Sequence, residues 1–120
     1  MTKNAYKLWI DDQLDDPNQP QRHPPDGWLF AKTPREASSI VDKLGPPEMM
    51  DLDCDLGKDE SGRSLRVIDF LKYLQQRFPD NPPNWKVHSE NPIAAENVNA
   101  FMRSWHKVAV SFELHRRGIQ

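Results

Sequence analysis

The sequence is short of cysteine, of net charge and of long apolar runs, and each shortage removes a class of function. A single cysteine, Cys54, in 120 residues excludes an internal disulfide framework and a cysteine-built zinc site, and it fits a reducing compartment. Sixteen basic against eighteen acidic residues leave a net charge of −2, so no overall field draws the protein to DNA or to an anionic membrane, and no DNA-binding surface is evident. No apolar run is long enough to span a bilayer, and the opening "MTKNAYKLWIDD" lacks the apolar segment of a signal peptide, so the expected location is the cytoplasm. A length of 120 residues predicts one domain over 1–120.

What the sequence does have is a strand–helix alternation punctuated by acids. "YKLWI", Tyr6 to Ile10, is a run of strand formers that ends in Asp11 and Asp12. From Gln13 to Gly27 the chain is polar and holds Pro17, Pro20, Pro24 and Pro25, which reads as one long surface loop; loops of this length are often functional. "GWLFAKT" is a second strand. "TPREASSIVDKLGPP" then carries the marks of a helix: Thr33 as N-cap, Pro34 at the first position, Glu36 three after the cap, and Gly45 with two prolines at its end.

"EMMDLD" is the third strand and "GKDESGRS" a polar turn. "RSLRVIDFLKYLQQRF" is predicted to be an amphipathic helix, with Val67, Leu71, Leu74 and Phe78 at helical spacing. "WKVHS" is the fourth strand. "NPIAAENVNAFMRSWH" restarts a helix with Asn91 as cap and Pro92 at the first position, burying Ala94, Val98, Phe101, Met102 and Trp105. "KVAVSFEL" fits either period, and with no breaker before it the helix is expected to continue.

Such alternation predicts a parallel sheet with covering helices, in which ligands bind beyond the carboxyl ends of the strands. The stretch "MMDLDCDLG", Met49 to Gly57, then acquires a meaning, because aspartate is a poor strand former and is rarely buried unpaired. Asp11 and Asp12 after the first strand, Asp53 and Asp55 after the third, and His88 and Ser89 after the fourth are expected to converge on one edge. Asp51 is read as an outward-facing strand residue. Four carboxylates so placed repel one another unless a cation sits among them. An all-oxygen donor set suits magnesium, with manganese as the alternative, and such an ion accepts a substrate phosphate. His88 exchanges protons near neutral pH, while Ser89, Asn91 and the start of the helix at Pro92 offer hydrogen bonds to an anion.

The ordered motifs "LWIDD", "DGWLFAKTPREA", "DLDCDLG", "SGRSLRVIDFL" and "VHSENP" followed by "EN" resemble the cyclic-phosphate-processing receiver domain, a divergent relative of the receiver domains of two-component response regulators. The resemblance spans about residues 8–104 and leaves 105–120 as a C-terminal extension. It implies a flavodoxin-like, three-layer α/β fold with a short parallel sheet, a loop in place of the receiver's first helix, and a fifth strand absent or degenerate. It further implies metal binding by Asp11, Asp12 and Asp53, catalysis by Asp53, Asp55 and His88, and phosphate binding by Ser89 and Asn91. The implied activity is that of a metal-dependent phosphoesterase whose substrate is a cyclic phosphate on a nucleotide or RNA terminus, as in RNA repair. The alternative is a non-catalytic signalling or protein-binding module with Asp53 as phosphoacceptor. Cys54 stands where the family usually resembles Asp-His-Asp.

Overall fold

The computed structural model describes residues 5–116. A parallel four-stranded sheet is formed by β1 (Lys7–Ile10), β2 (Leu29–Ala31), β3 (Met49–Leu52) and β6 (Asn84–Val87), in the order β2-β1-β3-β6. A short antiparallel hairpin, β4 (Asp55–Lys58) and β5 (Ser64–Arg66), stands apart from it. The helices are α1 (Pro34–Leu44), α2 (Val67–Arg77) and α3 (Pro92–Arg116).

The strand order determines where the connections run. The chain moves one way along the sheet from β2 past β1 to β3 and on to β6, and right-handed crossovers place α1 and α2 on one face. Only the β1-to-β2 step runs the other way, so its loop, residues 11–28, lies over the opposite face. The register agrees with this. Leu8, Met50 and Trp85 align across β1, β3 and β6, as do Ile10, Leu52 and Val87. Leu8, Ile10, Met50 and Leu52 are sealed in one core with Val41, Phe70, Leu71, Leu74, Val98, Met102 and Trp105 of the three helices. The alternate positions Lys7, Phe30, Asn84 and Lys86 are exposed. Trp9, on that same side, is covered instead by the loop, whose Arg22 carbonyl accepts from its indole Nε1 at 2.9 Å. A parallel sheet flanked by helices is the receiver-like α/β class that the sequence predicts; among the described residues the layer opposite the helices is loop and open sheet.

Local chemistry explains the helix boundaries. The Thr33 hydroxyl accepts from the Glu36 backbone N–H at 3.1 Å, and the Glu36 carboxylate reaches back to the Lys32 N–H at 2.9 Å. Asn91 caps α3 through its side-chain oxygen, which accepts from the Ala94 N–H at 3.1 Å. The segment after Trp105 continues α3 through Arg116, as its unbroken sequence predicts, and no fifth strand of the sheet follows among the described residues. Residues 117–120 of the expected extension lie outside the described residues.

The hairpin corrects one expectation. Residues 57–58, expected in the polar turn, and Ser64–Arg66, expected to open the helix, belong instead to the paired strands β4 and β5, and α2 begins only at Val67. The Asp59 carboxylate closes the turn by accepting from the N–H groups of Ser61 and Arg63. Val67 N–H then bonds the Cys54 carbonyl at 3.0 Å, so a long-range closure, and not helical periodicity, decides where the helix starts. Among the described residues no helix is long and apolar enough to cross a membrane.

Candidate functional site

β1 and β3 are neighbours at the point where the strand order reverses, and there the chain splays open beyond the carboxyl ends of the strands. Asp11 follows β1 and is fully buried; Asp53 follows β3 and is 5% exposed. With Asp12 they bring carboxylate oxygens within 4.8 Å of one another. Asp55, expected in the same group, lies outside it: it has already entered β4, is exposed, and accepts from the Asn91 amide at 3.2 Å.

Three like charges so close and so buried need compensation, and the described residues supply it from the loop. The Arg22 guanidinium enters the cluster with NH2 at 2.7 Å from Asp11 Oδ1, 2.5 Å from Asp53 Oδ2 and 3.6 Å from Asp12 Oδ1. Its Nε donates to Asp11 at 2.8 Å, and its NH1 donates to the Gln13 side-chain oxygen at 2.9 Å. Sequence reading missed Arg22, which stands in a proline-rich loop with no periodicity to mark it. The hydrogen bond to Asp11, ahead of the other carboxylate contacts, raises its pKa.

His88 forms the second positive arm. Its Nδ1 lies 2.6 Å from Asp51 Oδ1 and its Nε2 lies 3.0 Å from Asp11 Oδ2. Two carboxylate acceptors require a proton on each ring nitrogen, which makes the ring an imidazolium. Burial works against that charge, but the bonds to Asp51 and Asp11 outweigh it and the pKa is raised. The ring stacks on Trp9 with centroids 4.3 Å apart. Asp51 does face away from the helix-side core, as its strand position predicts, yet it is a partner of His88 and not a solvated bystander. We therefore expect Asp51→Asn to lower the His88 pKa, because burial then meets one opposing carboxylate fewer; an NMR titration of the imidazole that shows no downward movement contradicts this pairing.

The carboxylates respond to the same crowding. Burial first, and then the charge of Asp11, push Asp53 from 3.8 up to about 6, against the pull of Arg22 and His88. Asp12 is raised for the same two reasons. Its Oδ1 is buried without a hydrogen-bond partner. Gly57 allows Asp12 this position: it has φ of 80°, and a Cβ there would meet Asp12 Oδ2 at 3.2 Å.

Beyond the cluster opens a cavity of about 700 Å³, whose lining includes Asp12, Asp53, Arg22, His88, Ser89 and Asn91. Ser89 and Asn91 stand at the entry to α3, where the Ser89 hydroxyl accepts from the Asn91 N–H at 3.1 Å. Cys54 is buried, its thiol pushed up by burial against a hydrogen bond to Ser89. The donor set suits a hard divalent cation: it is all oxygen, it converges, and it includes one buried oxygen left without a bond. The buried aspartate cluster can thus bind a metal ion, as in receiver domains.

No curated protein and no solved structure matches the chain. Its residues 6–104 match the family described as the cyclic-phosphate processing receiver domain. With most of its length covered, and with acids at the ends of β1 and β3 where a receiver carries them, the chain belongs to the cyclic-phosphate processing receiver domain family.

Proposed function

We propose that the domain is a metal-assisted phosphoesterase that opens a cyclic phosphate carried by a nucleotide or an RNA terminus. The observation that carries this reading is the cavity, which places carboxylates, a guanidinium, an imidazolium and the capped start of α3 around one volume. A purely structural ion network would not need hydrogen-bonding groups such as Ser89 and Asn91 arranged with it around one open volume. Magnesium or manganese held by Asp11, Asp12 and Asp53 would polarise the phosphoryl group and lower the pKa of water.

The chain's own residues do the rest. His88 carries a proton on Nε2, directed at Asp11; moved from that carboxylate to the departing sugar oxygen, it makes His88 the general acid. Asp51 keeps the opposite nitrogen protonated and fixes the ring, and Trp9 holds its plane. Ser89 and Asn91 orient the phosphate with their hydroxyl and amide groups, and the first turn of α3 favours its negative charge. Asp55 lines the same cavity and accepts from the Asn91 amide, so its carboxylate orients that amide toward the phosphate.

The test is release of product from a nucleoside 2′,3′-cyclic phosphate, with and without magnesium or manganese. Turnover is expected to require metal and to fall by at least 100-fold in His88→Ala and in Asp53→Asn, the range associated with losing a general acid or a metal ligand. No turnover on nucleotide or RNA-terminal cyclic phosphates, together with stable labelling of Asp53 by a small phosphodonor, would establish the signalling module instead.

A further inference from the structure

We infer that Arg22 and the divalent ion are alternative occupants of one cation position, and that Arg22, once displaced, becomes the phosphate-binding side chain of the cavity. This rests on the reading of Asp11, Asp12 and Asp53 as metal ligands. The NH2 group lies between 2.5 and 3.6 Å from an oxygen of each of the three carboxylates. A small hard cation needs those same oxygens at about 2.0–2.6 Å, and two positive centres do not share one point.

Arg22 is held there deliberately by its backbone as well as its side chain. The indole of Trp9, whose face supports His88, donates to the Arg22 carbonyl at 2.9 Å. The single 3-10 turn Pro20–Arg22 delivers the residue to that bond. The anchor survives when the side chain leaves, so the guanidinium stays within the cavity it lines. While docked, its donors are spent: Nε on Asp11, NH1 on Gln13 and Gln19, NH2 on Asp11 and Asp53. None is left for a phosphate. Released by a metal, the planar fork faces the same volume as Ser89 and Asn91 and matches two phosphate oxygens.

One substitution should therefore move two affinities in opposite directions. Manganese titration followed by electron paramagnetic resonance, without substrate, is expected to show at least tenfold tighter binding in Arg22→Gln than in the unaltered protein. Gln13→Ala, an exposed change that frees NH1 from one partner, should tighten it by about twofold. With manganese saturating, inorganic phosphate followed by calorimetry should bind at least fivefold more weakly to Arg22→Gln. Equal or weaker manganese binding in a folded Arg22→Gln overturns the exchange, and unchanged phosphate binding overturns the second role. Absence of manganese binding in all three proteins overturns the inference together with the metal-assisted reading; metal-dependent turnover alongside equal manganese affinities would leave that reading standing and remove this inference alone.

Discussion

Replacing Asp53 with asparagine is expected to make the metal-free protein more stable at pH 8, by about 2 kcal/mol, and to make no such difference near pH 4. The sign follows from linkage. Asp53 titrates near 6 in the fold against an ordinary 3.8, so the folded state binds its proton more tightly than the unfolded chain does. The stability this provides is complete below pH 3.8 and is lost as pH rises through about 6. A shift of that size corresponds to about 3 kcal/mol. Asparagine cannot ionise and escapes the loss. It also carries a cost, because both Asp53 oxygens accept, one from Cys54 N–H and one from Arg22, and the amide nitrogen of asparagine must face one of those donors. An unmet buried bond of this kind subtracts about 1 kcal/mol.

His88 adds a slope of the same sign at higher pH in both proteins: its raised pKa gives stability that is full below 6.5 and lost as pH rises through its folded value. Denaturant unfolding in chelator at pH 4, 6 and 8 separates the two contributions. Asp53→Asn that unfolds more easily than the unaltered protein at pH 8 would mean that Arg22 and His88 already neutralise the cluster, leaving no charge deficit for a metal to relieve. A metal should have the reverse preference, stabilising the unaltered protein and not the variant.

This electrostatic arrangement was half legible in the sequence. Strands that end in Asp11, Asp12 and Asp53, and a fourth that ends in His88, follow from period and punctuation, and the rule for open parallel sheets places them at one edge. Thr33 with Pro34, and Asn91 with Pro92, announce their helices through local hydrogen bonds made by residues three apart. Asp55 came out differently in one respect: β3 stops at Leu52 and by Asp55 the chain has turned into the hairpin, so its carboxylate stands outside the three-aspartate cluster while still lining the same cavity. The hairpin itself has few apolar residues to alternate, and its pairing is decided by the Asp59 turn and by closure on Cys54.

Arg22 was illegible for a different reason. It lies 11 residues from Asp11 and 31 from Asp53, and a proline-rich loop has no period from which to calculate where a side chain will point. The signal that was available is energetic: buried aspartates imply a buried cation, and the loop after β1 is the segment that topology lays over them. The acids could be paired with an imagined metal from sequence, but the guanidinium that meets them required the fold.

Trp9 joins the two positive arms, and its removal is expected to have the largest effect on stability of any change at the site. It is 6% exposed, its indole edge meets Trp28 at a centroid distance of 6.0 Å, and one face carries the His88 ring. Trp9→Ala should cost about 3–5 kcal/mol, the range for deleting a buried aromatic side chain. Trp9→Phe should cost far less, about 1–2 kcal/mol, since a ring remains for His88 and only the indole N–H bond to the Arg22 carbonyl and some volume are lost. The phenylalanine variant isolates the tether. Its His88 pKa should stay raised, because Asp51 and Asp11 are untouched, while hydrogen exchange across residues 13–27 should accelerate as Arg22 loses its backbone anchor. If Trp9→Phe leaves exchange in the loop unchanged, the carboxylates alone hold Arg22 in place, and the loop is fastened to the site by charge, without a contribution from the tryptophan beneath it.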